Sequence, residues 1–327
     1  MTRAINNHRA AGIQRPSHRR SNALAILIAF SAVGVMYLNF DSSLAGTDAT
    51  AADVSRVAAA IAEPVIAMRP GAESSRPTNG AATSSGSEQV SGRIALLLNL
   101  LLLEKGRDRF AKVPGYTATF YKKERVGGSD LESQVVRLKM RHQPFSVYMK
   151  WLVGDKGREL LYVAGQNSGK IIVKVGGVKG RLLPALKLDP TGSLAMRESR
   201  YPVTMAGLLR LSETLIGYRR RELQQKSGTH CRMIDNQRFD GRPCYCFIVT
   251  YDSPAASKEY RKSITFLDKK RMLPVCVKNY GWPEGDATGD LDKTTLIEHY
   301  AYTDIRVTQQ LADSDFASSN RNYHFRR

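Results

Sequence analysis

Four histidines, four cysteines and a few carboxylates in the body of this 327-residue chain could do chemistry. Their spacing points away from an active site. His142, His230, His299 and His324 form no HExxH and no pair at metal-ligand spacing, so they read as solvated or hydrogen-bonded surface residues. Gly176, Gly177 and Gly180 match neither a dinucleotide fingerprint nor a P-loop, and there is no G-x-S-x-G elbow. Glu124, Glu159, Asp189 and Glu198 could supply paired carboxylates, but with no cleft in view they read as salt-bridged or solvated groups. No catalytic residue, metal or cofactor is expected.

Cys231, Cys244, Cys246 and Cys276 remain open between buried thiols and one disulfide. A tight turn at Asp240-Gly241 sets Cys244 opposite Gln237, and one at Lys269-Lys270 sets Cys276 opposite Ile264. Neither register pairs two cysteines. The C-x-C spacing of Cys244 and Cys246 does not suit zinc.

The other candidate chemistry is apolar. Phe120, Phe145, Trp151, Tyr162 and Phe247 lie in strand-like runs, and Met205, Leu208 and Leu209 begin a helix. They could line a cavity for an apolar ligand, or simply fill a core.

The elements that must position these residues are mostly strands. Val136, Leu138 and Met140 alternate with Arg137, Lys139 and Arg141, the period of a sheet wet on one face. Similar runs recur at residues 116–126, 145–152, 158–163 and 171–175, then at 230–239, 243–251, 261–267, 273–280 and 294–302. Residues 205–225 carry an apolar stripe from Met205 to Ile216 that ends at Arg219-Arg220-Arg221, read as a helix with a solvated basic end. Residues 94–103 (IALLLNLLLL) are too short to span a bilayer and read as a helix buried nearly all round. The expected fold is mainly β (α+β): a curled antiparallel sheet or incomplete β-barrel of about ten strands, with helices on its concave face.

The N-terminus sets the compartment. Residues 22–40 (NALAILIAFSAVGVMYLNF) are uncharged and, at 1.5 Å per residue, span roughly 28 Å. Basic residues, Arg3 to Arg20, lie only on the N-terminal side. The expected organisation is a cytoplasmic segment (1–21), a membrane anchor or signal peptide (22–40) and a disordered, Ala/Ser/Gly-rich tether (41–92) with a transient helix near Asp53 to Ile61. An extracytoplasmic β-rich domain (93–327) follows. The domain is then inner-membrane anchored in the periplasm, or released there if cleaved after Ala45. The net charge of +19 suits an anionic membrane surface or envelope polymer, and this topology argues against nucleic acid.

Several runs carry a family resemblance: 116–124 (YTATFYKKE), 138–152 (LKMRHQPFSVYMKWL), 157–163 (GRELLYV), Leu188-Asp189-Pro190, 199–207 (SRYPVTMAG) and the ending 315–325. Through them the chain resembles an uncharacterised family of exported bacterial proteins, frequent in planctomycetes, over about residues 110–325. More distantly, the order of helix, meander, helices and meander is similar to the periplasmic lipoprotein-carrier fold, an open barrel whose helical lid holds acyl chains. This implies a non-catalytic envelope protein that binds a lipid, a lipoprotein or another apolar ligand. The alternatives are a structural or protein-interaction module with a filled core, and a hydrolase of envelope material.

Overall fold

A computed structural model describes residues 48–62, 89–285, 289–307 and 311–326. The expected membrane segment at 22–40, its basic flank, the Ala45 cleavage site and most of the tether lie outside these residues. No helix among the described residues is long and apolar enough to cross a membrane.

The chain runs α1 (Asp48–Ala62), β1 (Gln89–Ser91), α2 (Gly92–Phe110), β2 (Gly115–Val126), β3 (Ser129–Asp130), β4 (Gln134–Arg141), β5 (Ser146–Val153), β6 (Glu159–Val163) and β7 (Ile171–Lys174). Then come α3 (Gly177–Leu182), β8 (Leu186–Leu188), α4 (Ser193–Met196), α5 (Leu208–Gln224), β9 (Thr229–Phe239), β10 (Arg242–Tyr251), β11 (Lys262–Asp268), β12 (Pro274–Tyr280), α6 (Leu291–Thr294) and β13 (Leu296–Arg306). The thirteen strands form one antiparallel sheet, ordered β1-β9-β10-β11-β12-β13-β2-β4-β5-β6-β7-β8, with β3 beside β2. The sheet is open, its path ending at β1 and β8. The strands beyond the expected ten, β1, β3 and β8, have two or three residues each and are too short to show a period.

Cross-strand register fixes the faces. One row runs Met233–Phe247–Thr265–Val277–Tyr300, and a second runs Tyr302–Phe120–Val136–Trp151. A third runs Ala118–Leu138–Met149–Leu160–Val173–Leu186. α2 and α5 cover this face toward β9: Ala95, Leu96, Leu100, Leu103, Leu215 and Ile216 cluster with Met233, Phe247 and Val249.

The opposite face is not wet. Arg137 pairs with Asp53 of α1, Lys139 with Asp315 at 2.6 Å and Arg141 with Asp313 at 2.5 Å. Beside these cations Val57 of α1 packs on Val135 and Leu152, and Phe316, Tyr323 and Phe325 pack on Tyr148, Leu161, Val163 and Ile172. The charges alternate with apolar residues because the face is partly covered by segments that bring their own acids. For the same reason Asp48–Ala62, expected within the tether, is a docked helix, and Gln89–Ser91 pair with β9.

Two further expectations change. Only one side of α2 is buried, and Ile94, Leu97 and Leu101 are 72%, 47% and 54% exposed. Asp240 and Gly241 do form a tight turn, with positive φ at both (51° and 68°), and Cys244 faces Gln237. The next hairpin does not turn at Lys269-Lys270. Asp268 Oδ1 accepts from the amides of Lys270 and Arg271, its own amide donates to the Leu273 carbonyl, and the longer loop sets Cys276 opposite Phe266 instead of Ile264.

Candidate ligand-binding face and its ionic latch

Along the third row of the helix-covered face, cover decreases toward β8. Ala118, Leu138 and Met149 are buried, whereas Leu160, Val173 and Leu186 are half-buried. Tyr162, opposite Val147, is also half-buried, with its ring 6.1 Å from Phe145. Val203, Ala206 and Leu209 pack against the edge of the same core, and Met205 between them is 44% exposed.

The eight candidate lining residues therefore divide. Phe120, Trp151 and Leu208 are buried in one filled core cluster and Phe247 in another. Phe120 stacks on Tyr302 at 4.7 Å, and Trp151 donates its indole N–H to Gln134 Oε1 at 3.0 Å. Phe145 and Tyr162 lie at the partly open end, Leu209 is half-buried against the first cluster, and Met205 is exposed. A cavity of ≈ 220 Å³ lies elsewhere, bounded by the charged Arg56, Asp240, Arg242, Arg271 and Asp304 and by Phe239, Val275, Tyr302 and Ile305. Five charged side chains in its mixed lining suit a polar or ionic group better than an acyl chain.

The segment at residues 199–207, beside this core, is held by a buried charge cluster. Glu124 and Glu298 stand opposite each other on β2 and β13, 3% and 2% exposed. Arg200 joins them: its amide donates to Glu124 Oε2 at 3.1 Å and its Nε to Glu298 Oε2 at 3.0 Å. Arg200 Nη1 also donates to the Arg125 carbonyl at 3.2 Å. Tyr300 donates to Glu124 Oε1 at 2.5 Å, and Tyr260 and Asn279 donate to Glu298 Oε1 at 3.0 and 2.6 Å. Burial holds the Glu298 carboxyl above its ordinary range and, with Glu298, pushes the Tyr260 and Tyr300 phenols up. Burial disfavours the Arg200 cation, but Glu298, Tyr260, Glu259 and Tyr201 together outweigh it and raise the guanidinium. Each carboxylate is engaged by donors from the protein, so the pair acts as a latch for the 199–207 segment. Sequence reasoning singled out Glu124 but missed Glu298 and Arg200. The available signal was the run Ser199-Arg200-Tyr201, whose cation needed a buried partner.

Glu159, fully buried, accepts from the His324 amide and Nδ1, both at 2.8 Å. Asp189 accepts from Thr191, and Glu198 from Arg158. All four carboxylates singled out in the sequence are thus bonded within the fold. Arg219, expected in a solvated basic end, is 2% exposed and paired with Glu222 at 2.8 Å, because it continues the buried stripe of α5. Arg220 is exposed and paired with Glu104 at 2.6 Å.

The four cysteines are free and buried. Burial pushes each thiol up to about 12. Cys276 Sγ lies 3.5 Å from His299 Nε2. His299 is buried, contrary to the surface reading, and burial together with Lys278 and Lys123 pushes it down to about 3. A neutral thiol beside a neutral imidazole is the opposite of the ion pair that activates a nucleophilic cysteine. His142 is half-buried with its ring edge-on to the contacting pair Phe110 and Tyr116, while His230 pairs with Asp252 on the surface. Among the described residues no cluster of histidine, cysteine and carboxylate could hold a metal.

No curated protein matches the sequence. Among solved structures, the chain is similar to the lipoprotein LppX of Mycobacterium tuberculosis (TM-score 0.38, 11% identity, 66% of this chain and 99% of that one). It is also similar to a LolA superfamily protein of Nitrosomonas europaea (0.28, 11%, 66% and 96%) and to a DUF1329 family protein of Desulfovibrio piger (0.34, 11%, 69% and 98%). Residues 113–325, from the start of the sheet's first long strand to the C-terminal segment on its far face, match the model of a protein family of unknown function, DUF1571, and the chain belongs to that family.

Proposed function

We propose that this chain is a non-catalytic extracytoplasmic binding protein that holds an apolar chain, such as the acyl group of a lipid or lipoprotein, at the β6–β8 end of its helix-covered face. The observation that carries this reading is the loss of cover along one apolar row, from buried Met149 to half-buried Leu160, Val173 and Leu186. A sheet face lined by aliphatic side chains, with Phe145 and Tyr162 at its margin, offers dispersion contacts and few hydrogen bonds. That is a surface for hydrocarbon. The latch from Arg200 to Glu124 and Glu298 sets the position of the segment beside it. The extracytoplasmic placement rests on the uncharged run at residues 22–40 and its one-sided basic flank. A hydrolase would need convergent polar groups open to substrate, whereas the buried carboxylate pair is occupied by Arg200, Tyr260, Tyr300 and Asn279.

Native mass spectrometry of the full chain, extracted gently from envelopes, should show adducts of lipid mass. A Val173→Glu, Leu186→Ser variant should lose them while keeping its melting temperature. A clean apo mass, with no response to a fluorescent fatty acid, would leave a filled-core interaction module as the better account.

A further inference from the structure

The face that α2 turns away from the sheet is not explained by the fold or by the proposed ligand end. α2 buries Ala95, Leu96, Asn99, Leu100, Leu103, Gly106 and Phe110. Its outer side carries Ile94, Leu97 and Leu101, one stripe at i, i+3 and i+7, all exposed, with half-buried Leu98 and Leu102 beside them. A surface helix ordinarily carries polar residues there. Cations bound the stripe: exposed Arg93 precedes it, and exposed Lys105 and Arg109 continue the same side after it. The acids nearby are already neutralised, Glu104 by Arg220 at 2.6 Å and Asp108 by Arg107 at 2.7 Å. Among the described residues no acid pairs with Arg93, Lys105 or Arg109.

We infer that the outer face of α2 lies on an anionic lipid bilayer, with Ile94, Leu97 and Leu101 in the acyl boundary and Arg93, Lys105 and Arg109 at the phosphates. An apolar stripe bordered by lysine and arginine is the pattern of an interfacial helix, and long basic side chains reach the headgroups while their stems stay in apolar surroundings. Charge favours this occupant over a second copy of the chain, since every copy carries +19. The uncharged run at residues 22–40 gives the chain a sequence-level reason to be beside a bilayer. This contact is independent of the apolar end at β8, because α2 packs on β1 and β9 at the other end of the sheet.

The test uses the full chain in nanodiscs of phosphatidylcholine with phosphatidylglycerol, the acyl chains brominated or not. A tryptophan introduced as Leu97→Trp should lose emission in the brominated discs, measured against the parent chain with its own Trp151 and Trp282. The loss should shrink in discs of phosphatidylcholine alone and vanish when Ile94→Ser and Leu101→Ser are added. Ser319→Trp, in the C-terminal segment, is the unquenched control. Emission from Leu97→Trp equal to that of the control would overturn the inference. So would a blue shift without bromine quenching, which means that protein, from this chain or a second copy, covers the stripe. Melting curves of every variant show whether the fold is kept, since all the substituted side chains are exposed.

Discussion

At the scale of single residues, the reactive side chains are held in their least reactive forms. Cys231, Cys244, Cys246 and Cys276 are buried, and burial pushes their thiols up to about 12. The native chain should therefore give almost no reaction with a thiol reagent at neutral pH, and four thiols after denaturation. Fewer than four after denaturation without reductant would mean a disulfide. His299 has a pH signature. It stands between Lys123 and Lys278 in register, is buried neutral, and is pushed down to about 3 from 6.5. Above pH 6.5 neither the folded nor the unfolded state binds this proton, so the stabilising effect is complete there. As pH falls through the window from 6.5 to about 3, the unfolded chain takes up the proton first and stability is lost, by up to about 1.4 kcal/mol per pH unit. Urea unfolding at several pH values should show this slope in the parent chain and a shallower one in His299→Gln. Parallel slopes would mean that the imidazole is not held neutral. Buried thiols were one of the two readings the sequence allowed, but the burial of His299 was not legible, because whether a histidine between two lysine strands faces water depends on what docks over that face.

At the scale of elements, most of the chain was legible. Long strands such as Gly115–Val126 and Gln134–Arg141 begin and end within about two residues of the expected runs, since their alternation is unbroken. The joint between the covering segment and α5 is less obvious. Gly207 takes φ +99°, and a Cβ there would lie 2.6 Å from Met140 Cε and 2.9 Å from the Tyr116 hydroxyl. That hydroxyl accepts the Leu208 amide at 2.9 Å and so caps α5, which has no side-chain cap of its own. Gly207→Ala should destabilise the fold by about 1–3 kcal/mol, and Tyr116→Phe, which removes only the cap, by about 1–2 kcal/mol. The latch should weigh more. Arg200→Ala takes the guanidinium from buried Glu298, while the residue's amide and Lys122 still meet Glu124, and should cost about 3–5 kcal/mol. Hydrogen exchange would locate the damage: faster exchange confined to residues 193–209 supports a latch, while uniform loosening would make Arg200 an ordinary core ion. Glu298→Gln should restore part of the loss by removing the unpaired charge.

At the scale of the whole molecule, the sheet is covered on both faces, and sequence pattern revealed only one of the covers. A row such as Arg137, Lys139 and Arg141 has the same period whether its charges meet water or acids on another segment. The second cover comes from α1, whose alanine-rich sequence suggests a helix but not its docking, and from residues 311–326, whose sequence has no strong helix or strand pattern. The C-terminal part should be indispensable. Tyr323 stacks on Tyr148 with centroids 3.9 Å apart, Lys139 lies over both rings, and Glu159 holds His324. A chain ending at residue 310 would expose Tyr148, Leu161, Val163 and Ile172 and leave Glu159 buried without its main donor. It should bind a hydrophobic dye, aggregate, and melt at least about 5 °C lower. His324→Ala should give a smaller loss, because its backbone amide still donates to Glu159. If the shortened chain melted like the parent, the tail would be an accessory strap and the sheet would be stable with that face open. The burial argued here requires the opposite: a wide open sheet whose two faces are both apolar over much of their area cannot remain monomeric with one of them bare.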